Sequence, residues 1–308
     1  VTRLRADLLL LLTALIWGTA FVAQKVGVDS IGPLGFVAGR FVMSSVLMLP
    51  FALRESRSAA VGLKRRDWAL AGLIGLILGT ASMGQQFALT TTTVTNAGFI
   101  TSVYIAFVPF VAWLVLGTRP RPLVLAAVAV SLAGAWLLAS HGQSAHLAQG
   151  DMIVLAGTLL YAGHIVSVSI FQRRAHRPYM LSFTQNAVTA GMSLVMVALF
   201  EPVTATSLKT AFPAMAYAGL VSGGLGYTLQ ILAQRHTPAT EAALIMSMES
   251  VFAALAGALL LGERLTALGG VGCALILLGV IMVEVLPSLM RPASVAAGEM
   301  ILGEVPMD

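Results

Sequence analysis

The chain has 308 residues, of which 58% are hydrophobic and only 10% charged, and its mean hydropathy is +0.90. A soluble domain carries about 25% charged residues and a disordered chain has low hydrophobicity with high charge, so both are excluded; the single cysteine, Cys273, excludes a disulfide scaffold. The formal charge of +5 does not signal nucleic acid, because the 18 Lys and Arg residues lie in short clusters between long apolar runs.

A helix that crosses about 30 Å of hydrocarbon needs about 20 mostly apolar residues. Ten runs satisfy this in chain order: 7–26, 33–53, 67–89, 94–116, 122–140, 151–172, 178–200, 211–234, 239–261 and 267–287. The first follows Arg3 and Arg5, has no small-x-small cleavage site at its end and is followed by nine more spans, so it reads as a retained helix and not as a signal peptide. Gly32-Pro33, the run Arg119-Pro120-Arg121-Pro122, Arg177-Pro178, Glu201-Pro202 and Pro238 punctuate the later spans. Residues 291–308 are expected to form a loose cytoplasmic tail.

The basic residues set the expected orientation. With the amino terminus inside, the inner segments hold Arg3, Arg5, Arg54, Arg57, Lys64, Arg65, Arg66, Arg119, Arg121, Arg173, Arg174, Arg177, Arg235 and Arg291, and the outer ones hold Lys209 and Arg264. Lys25 and Arg40 sit within spans. This bias predicts that both termini face the cytoplasm. The positive charges then act as topology signals and imply no anionic partner.

The two halves match at a spacing of 145 residues. Gly79 pairs with Gly224, Gln85 with Gln230, Thr95-Asn96-Ala97 with Thr240-Glu241-Ala242, Ser102 with Ser247, and Leu116-Gly117 with Leu261-Gly262. Near the amino ends the spacing is 144, pairing Asp7 with Asp151 and Trp17 with Tyr161. The expected units are residues 1–145 and 146–290. Each has five spans, an odd number, so the second copy must insert from the opposite side. Inverted repeats are a transporter architecture with the substrate site near the midplane between the copies.

The runs Thr95–Tyr104 with Phe107-Val108-Pro109, Glu249-Ser250-Val251-Phe252 ending in Leu261-Gly262-Glu263-Arg264, Leu15-Ile16-Trp17-Gly18-Thr19-Ala20-Phe21, and Arg40-Phe41 resemble the fourth, ninth, first and second spans of EamA-type proteins of the drug/metabolite transporter superfamily. The resemblance covers roughly residues 7–287. It implies ten helices in inverted halves and export of small metabolites from the bacterial cytoplasm through the inner membrane, and within the superfamily the chain looks most like aromatic amino acid exporters. Many relatives have Glu-Pro where this chain has Glu249-Ser250, so a hinge carried by a ninth-span proline is in doubt.

Several residues are candidates for the transport site. Glu249 lies about 15 Å into its span, counting 1.5 Å per residue from Pro238. A carboxyl group at that depth is a functional-site candidate, for a substrate ammonium or for a proton, unless it is a hydrogen-bonded packing residue. Its repeat partner is Tyr104. Trp17 and Tyr161 could stack on an aromatic substrate or merely pack; Phe21 lies one turn beyond Trp17, and His164 follows Tyr161 by three residues. His164 is a candidate for proton coupling or simple packing. Gln85 and Gln230, with Tyr227 near the latter, could bond either end of a zwitterion or bond helix to helix. Gly18, Gly79, Gly163, Gly223 and Gly224 suit close packing or hinges. Arg40 is expected to pair structurally with a carboxylate or helix-end carbonyls, with substrate contact as the alternative, and Lys25 to reach the outer water or join an outer gate.

No phosphate-binding Gly-rich loop is present, so ATP hydrolysis has no engine here. His141 and His146 are weak evidence for metal, and no cofactor or metal is expected. An intramembrane protease built from Ser222-Gly223 and His164 would leave the repeat unexplained, and a non-transporting scaffold would not require polar residues at symmetric depths. The expectation is an all-α integral membrane protein with ten transmembrane helices in two inverted five-helix repeats. It exports amino acids or, as the alternative, other small metabolites or cationic drugs, either as a monomer or with spans five and ten at an interface between monomers. Spans one, three, four, six, eight and nine would line its cavity, with spans five and ten outside.

Overall fold

The computed structural model describes residues 3–140, 149–264, 266–284 and 286. His141, His146 and the 291–308 tail lie outside them. Most of its helices are apolar around their whole circumference, which suits an apolar solvent better than water. Leu114 and Leu259 are 86% and 82% exposed, side chains that only lipid would cover favourably.

The helices in chain order are α1 (Arg3–Ile31), α2 (Pro33–Arg57), α3 (Arg65–Ala88), α4 (Val94–Leu116), α5 (Pro122–Ser140), α6 (Gln149–Ala175), α7 (Pro178–Phe200), α8, α9 (Ala239–Leu261) and α10 (Ala267–Glu284). Helix α8 joins an α-helical piece Ala205–Ala216, a π-helical piece Tyr217–Gly226 and an α-helical piece Tyr227–Ala233. Seven of the ten, α1, α2, α3, α4, α6, α7 and α9, are long and apolar enough to cross a membrane. The protein is an all-helical membrane protein.

Each predicted span coincides with a helix; 94–116, 122–140, 178–200 and 239–261 match at both ends, and the other six have at least one end shifted. The first helix runs past 7–26 at both ends, and Arg3 holds its start through Asp7 and Glu241. The eighth begins at Ala205 and not at 211, because Thr204 accepts the Ser207 N–H at 3.1 Å and caps the helix there. Helices α4 and α9 both stop at a glycine in the left-handed region, Gly117 at φ 70° and Gly262 at φ 69°, a conformation that costs glycine little.

The halves are tied by matching contacts. The carboxylate of Glu201, just past α7, accepts the Leu34 and Gly35 N–H groups at 3.1 and 2.7 Å. Glu55, near the end of α2, accepts the Tyr179 and Met180 N–H groups at 3.4 and 2.8 Å. Each helix thus lays its carboxyl end on the amino end of the other, where exposed N–H groups favour an anion, and α2 and α7 run antiparallel. Thr237 donates to Asp7 at 2.8 Å, and its counterpart Thr92 donates to Asp151 at 2.6 Å. Ser44 donates to the Gly219 carbonyl at 2.7 Å, and its counterpart Thr189 to the Gly75 carbonyl at 3.0 Å.

Helices α5 and α10 pack on each other at the side of the molecule. There Gly134 and Gly272 bring the two backbones together so closely that a Cβ on either would run into the other's carbonyl oxygen. Helices α4 and α9 are each interrupted midway, at Val103 and at Ser247-Met248. Val103 and Met248 are themselves repeat counterparts. In α9 the Ser250 hydroxyl donates to the Ser247 carbonyl at 2.8 Å and the Ser247 hydroxyl to the Leu244 carbonyl at 2.7 Å, so each of these carbonyls accepts a serine hydroxyl as well as the N–H three residues on.

Candidate functional site

The two halves enclose a central chamber of about 40 Å³. Helix α1 supplies Trp17, Phe21 and Gln24; α2 supplies Arg40 and Phe41; α3 and α4 supply Gln85, Thr101 and Tyr104. From the second half come Tyr161 and His164 of α6, Ser222, Tyr227 and Gln230 of α8, and Glu249 of α9. All nine side chains singled out as substrate candidates therefore reach one chamber. Helices α5 and α10 contribute nothing to it, and α2, which the sequence did not suggest as a wall, contributes two residues.

One wall is aromatic. The Trp17 and Tyr227 rings are 4.9 Å apart between centroids, Phe41 stacks on Tyr227 at 6.3 Å, and His164 meets Tyr227 edge-on at 5.9 Å. Trp17 is held in place by its indole N–H, which donates to the Ser222 carbonyl at 3.3 Å. His164 Nε2 lies 3.1 Å from Gln185 Oε1 on α7.

The polar groups are buried and in part unpartnered. Glu249 is 2% exposed and lies beside the Tyr104 and Ser102 hydroxyls, while the Gln24 Oε1, the Arg40 Nε and both amide atoms of Gln230 have no hydrogen-bond partner among the described residues. Buried polar atoms are normally bonded, so a ligand in the chamber could complete these; unpartnered atoms also occur away from it, at Gln172 and Asn186. Gln85, the counterpart of Gln230, is bonded to Thr101 at 2.8 Å. At the position equivalent to Thr101 the second half has Met246, and Gln230 is left without that hydroxyl.

Apolar clusters adjoin the chamber through shared residues. One holds Tyr104 with Ile105, Val108, Ala242 and Met246. Another holds Phe21 with Leu89, Val94 and Ala253. A wider cavity of about 270 Å³ is bordered by Arg119, Arg121, Arg173 and Glu241. Glu263 accepts the Val94 and Thr95 N–H groups at 2.9 and 3.1 Å, as well as the Thr95 hydroxyl.

Two stretches of the chain, residues 4–140 and 148–285, each match the EamA-like transporter family. The chain belongs to the EamA-like transporter family. An uncharacterized transporter of Archaeoglobus fulgidus is 32% identical over 287 residues, covering 92% of this chain and 87% of the relative. The uncharacterized transporter YwfM of Bacillus subtilis is 27% identical, covering 94% and 97%. The uncharacterized inner membrane transporter YedA of Escherichia coli is 25% identical, covering 87% of each. A solved crystal structure with 17% identity superposes at a TM-score of 0.76, covering 94% of this chain and 98% of that one, which is a likeness of fold.

This EamA protein is therefore a multi-pass membrane transporter with a small-molecule substrate, and not an enzyme. Ser222 and His164, the raw material of a protease, do share the chamber, but His164 bonds Gln185.

The glycines divide. Gly18 brings α1 against the α9 backbone at the Glu249 carbonyl; Gly79 meets Met192, Gly223 meets Ser44 and Gly224 meets Leu47. Gly163 has nothing within 4 Å of where its Cβ would stand, so close packing does not explain it. Lys25 donates to the Leu89 carbonyl at 2.6 Å, tying α1 to the end of α3.

Arg40 departs most from expectation. It is 5% exposed, yet among the described residues no carboxylate or helix-end carbonyl pairs with it. Its guanidinium lies 4.9 Å from the Phe41 ring centroid and faces the chamber. Sequence reasoning favoured structural pairing over substrate contact because an arginine in a span usually has a partner. The missing signal was its counterpart Gln185, a neutral residue at the equivalent position.

Proposed function

We propose that this EamA transporter exports amino acids, aromatic ones foremost, from the bacterial cytoplasm across the inner membrane by alternating access of the central chamber. The observation that carries this reading is the convergence of both halves on one central chamber that combines an aromatic wall with buried polar groups. Aromatic faces stack on aromatic side chains, and the Glu249 carboxylate attracts an ammonium.

The halves, residues 1–145 and 146–290, insert in opposite senses with both termini in the cytoplasm. The antiparallel α2 and α7 support this inversion, as does the basic bias of the inner loops. Substrate gathers in the wider cavity beside Arg119 and Arg173, on the basic rim. It enters the chamber when the halves rock, and leaves past the Glu263 contacts. A chamber of about 40 Å³ holds only two or three waters at ~15 Å³ each, so it must widen to admit any amino acid. The resemblance to the aromatic amino acid exporter YddG rests on the residues alone, since the relatives named above are uncharacterized.

The test is flux into vesicles that contain the purified protein, measured with labelled phenylalanine, threonine and a quaternary-ammonium dye, with and without a pH gradient. Phenylalanine flux supports the reading. Flux of the dye in preference to both amino acids overturns it in favour of cation export.

A further inference from the structure

We infer that Arg40 is the receptor for the substrate carboxylate, so that the chamber reads both charges of a zwitterion: Arg40 takes the carboxylate, Glu249 the ammonium, and the aromatic wall around Tyr227 the side chain. The inference rests on the amino acid reading above and adds to it a charge rule and a residue.

Three observations lead here. The first is that Arg40 is buried and has no anionic partner among the described residues. A guanidinium taken out of water without a counter-charge is costly, and it persists where something else benefits from it. Guanidinium is also the side chain best shaped for a carboxylate, which it can grip with two parallel N–H donors. Its Nε is free to be one of them.

The second is that Glu249 lines the same chamber from another helix, and no ion pair joins it to Arg40. A guanidinium and an acidic group that line one small cavity with no ion pair between them are both available to a ligand that carries an anionic and a cationic group. A cationic ligand would satisfy Glu249 and be repelled by Arg40. An anionic ligand would meet the reverse. Only a zwitterion neutralises both.

The third comes from the repeat. Where the halves agree, the polar residues bind protein: Thr92 and Thr237 hold aspartates, and Ser44 and Thr189 hold carbonyls. Where the halves differ, polar groups face the chamber. Arg40 stands opposite Gln185 in the alignment of the halves, Glu249 opposite Tyr104, and Gln230, whose counterpart is bonded, has lost its hydroxyl partner to Met246. A symmetric scaffold needs no such differences, but a site for an asymmetric ligand does.

The experiment measures competition with labelled phenylalanine flux in vesicles, using three competitors: phenylalanine, phenethylamine, which lacks the carboxylate, and 3-phenylpropionate, which lacks the ammonium. Each truncated competitor is expected to be at least about tenfold weaker than phenylalanine on the parent protein, the size of a lost charged hydrogen bond. Arg40→Gln should raise the half-saturating phenylalanine concentration about tenfold or more while leaving phenethylamine as potent as before or more so. Glu249→Gln should show the mirror image with 3-phenylpropionate. Arg40→Lys, which keeps the charge, should recover part of the discrimination, and thermal unfolding of each variant establishes that it is folded.

If Arg40→Gln weakens phenylalanine and phenethylamine equally, Arg40 is structural and the inference falls while amino acid export stands. It falls in the same way if Arg40→Gln and Arg40→Lys both fail to fold. If the parent protein carries no phenylalanine or threonine at all, the amino acid reading itself fails, and this inference with it.

Discussion

The Ser102 hydroxyl donates to the backbone carbonyl of Ser247 at 3.3 Å, across a separation of 145 residues. The two serines are each other's counterpart in the repeat, so the pseudo-twofold axis passes close to this bond. Tyr104 and Glu249 lie two residues beyond on either side. The axis therefore runs through the chamber, and a ligand there touches equivalent positions of both halves at once.

Glu249 is the first position at which this can be measured. Glu249→Gln should cut flux at least about tenfold if the carboxylate contacts the substrate in its span. Because the change removes a buried carboxyl group, the melting temperature should stay level or rise. A fall in melting temperature with flux intact would make Glu249 a packing residue.

The asymmetry between Gln85 and Gln230 gives a second. Met246→Thr would offer Gln230 the hydroxyl that Thr101 offers Gln85. The amide would then be occupied, and substrate affinity should fall several-fold, in line with about 1 kcal/mol for a hydrogen bond. Equilibrium binding to the purified protein would read it.

Paired glycine substitutions separate packing from openness. Gly134→Ala drives a methyl group into the Gly272 carbonyl and should destabilise by about 1–3 kcal/mol. Gly163→Ala meets open space and should stabilise by up to about 1 kcal/mol through helix propensity. Thermal or denaturant unfolding in detergent gives both signs in one experiment.

The capping carboxylates provide a fourth. Glu55→Gln and Glu201→Gln should each cost about 0.5–2 kcal/mol, the range for a helix amino-end partner. They sit at opposite ends of the α2–α7 pair, so their effects should add within about 0.5 kcal/mol.

Orientation is testable directly. In a Cys273→Ala background, Lys209→Cys should react with a membrane-impermeant maleimide added to intact cells, and Arg119→Cys should not. The reverse pattern would invert the assigned topology.

Much of this architecture is written in short-range signals. Proline at positions 33, 122 and 178 opens helices where a missing N–H does no harm, and those three starts are read from sequence to the residue. The candidate residues of the chamber are legible for a similar reason: polar and aromatic side chains deep in apolar runs stand out, as Gln85, Tyr161 and Glu249 do. What stayed hidden depends on neighbours distant in the chain. The role of Arg40 turns on the lack of a partner, which only the packed structure reveals. The π-helical turn at Tyr217–Gly226 appears in the sequence only as a glycine-rich stretch, and the openness around Gly163 leaves no local mark.

The interruption of α9 has a mechanical consequence. A proline would have removed an amide hydrogen for good, fixing the bend in covalent structure. Here the Ser250 amide is intact and bonds the Ser247 carbonyl at 3.1 Å, beside the serine hydroxyl. The joint is therefore held by reversible hydrogen bonds alone, with every amide hydrogen still present, and Glu249 stands directly after it.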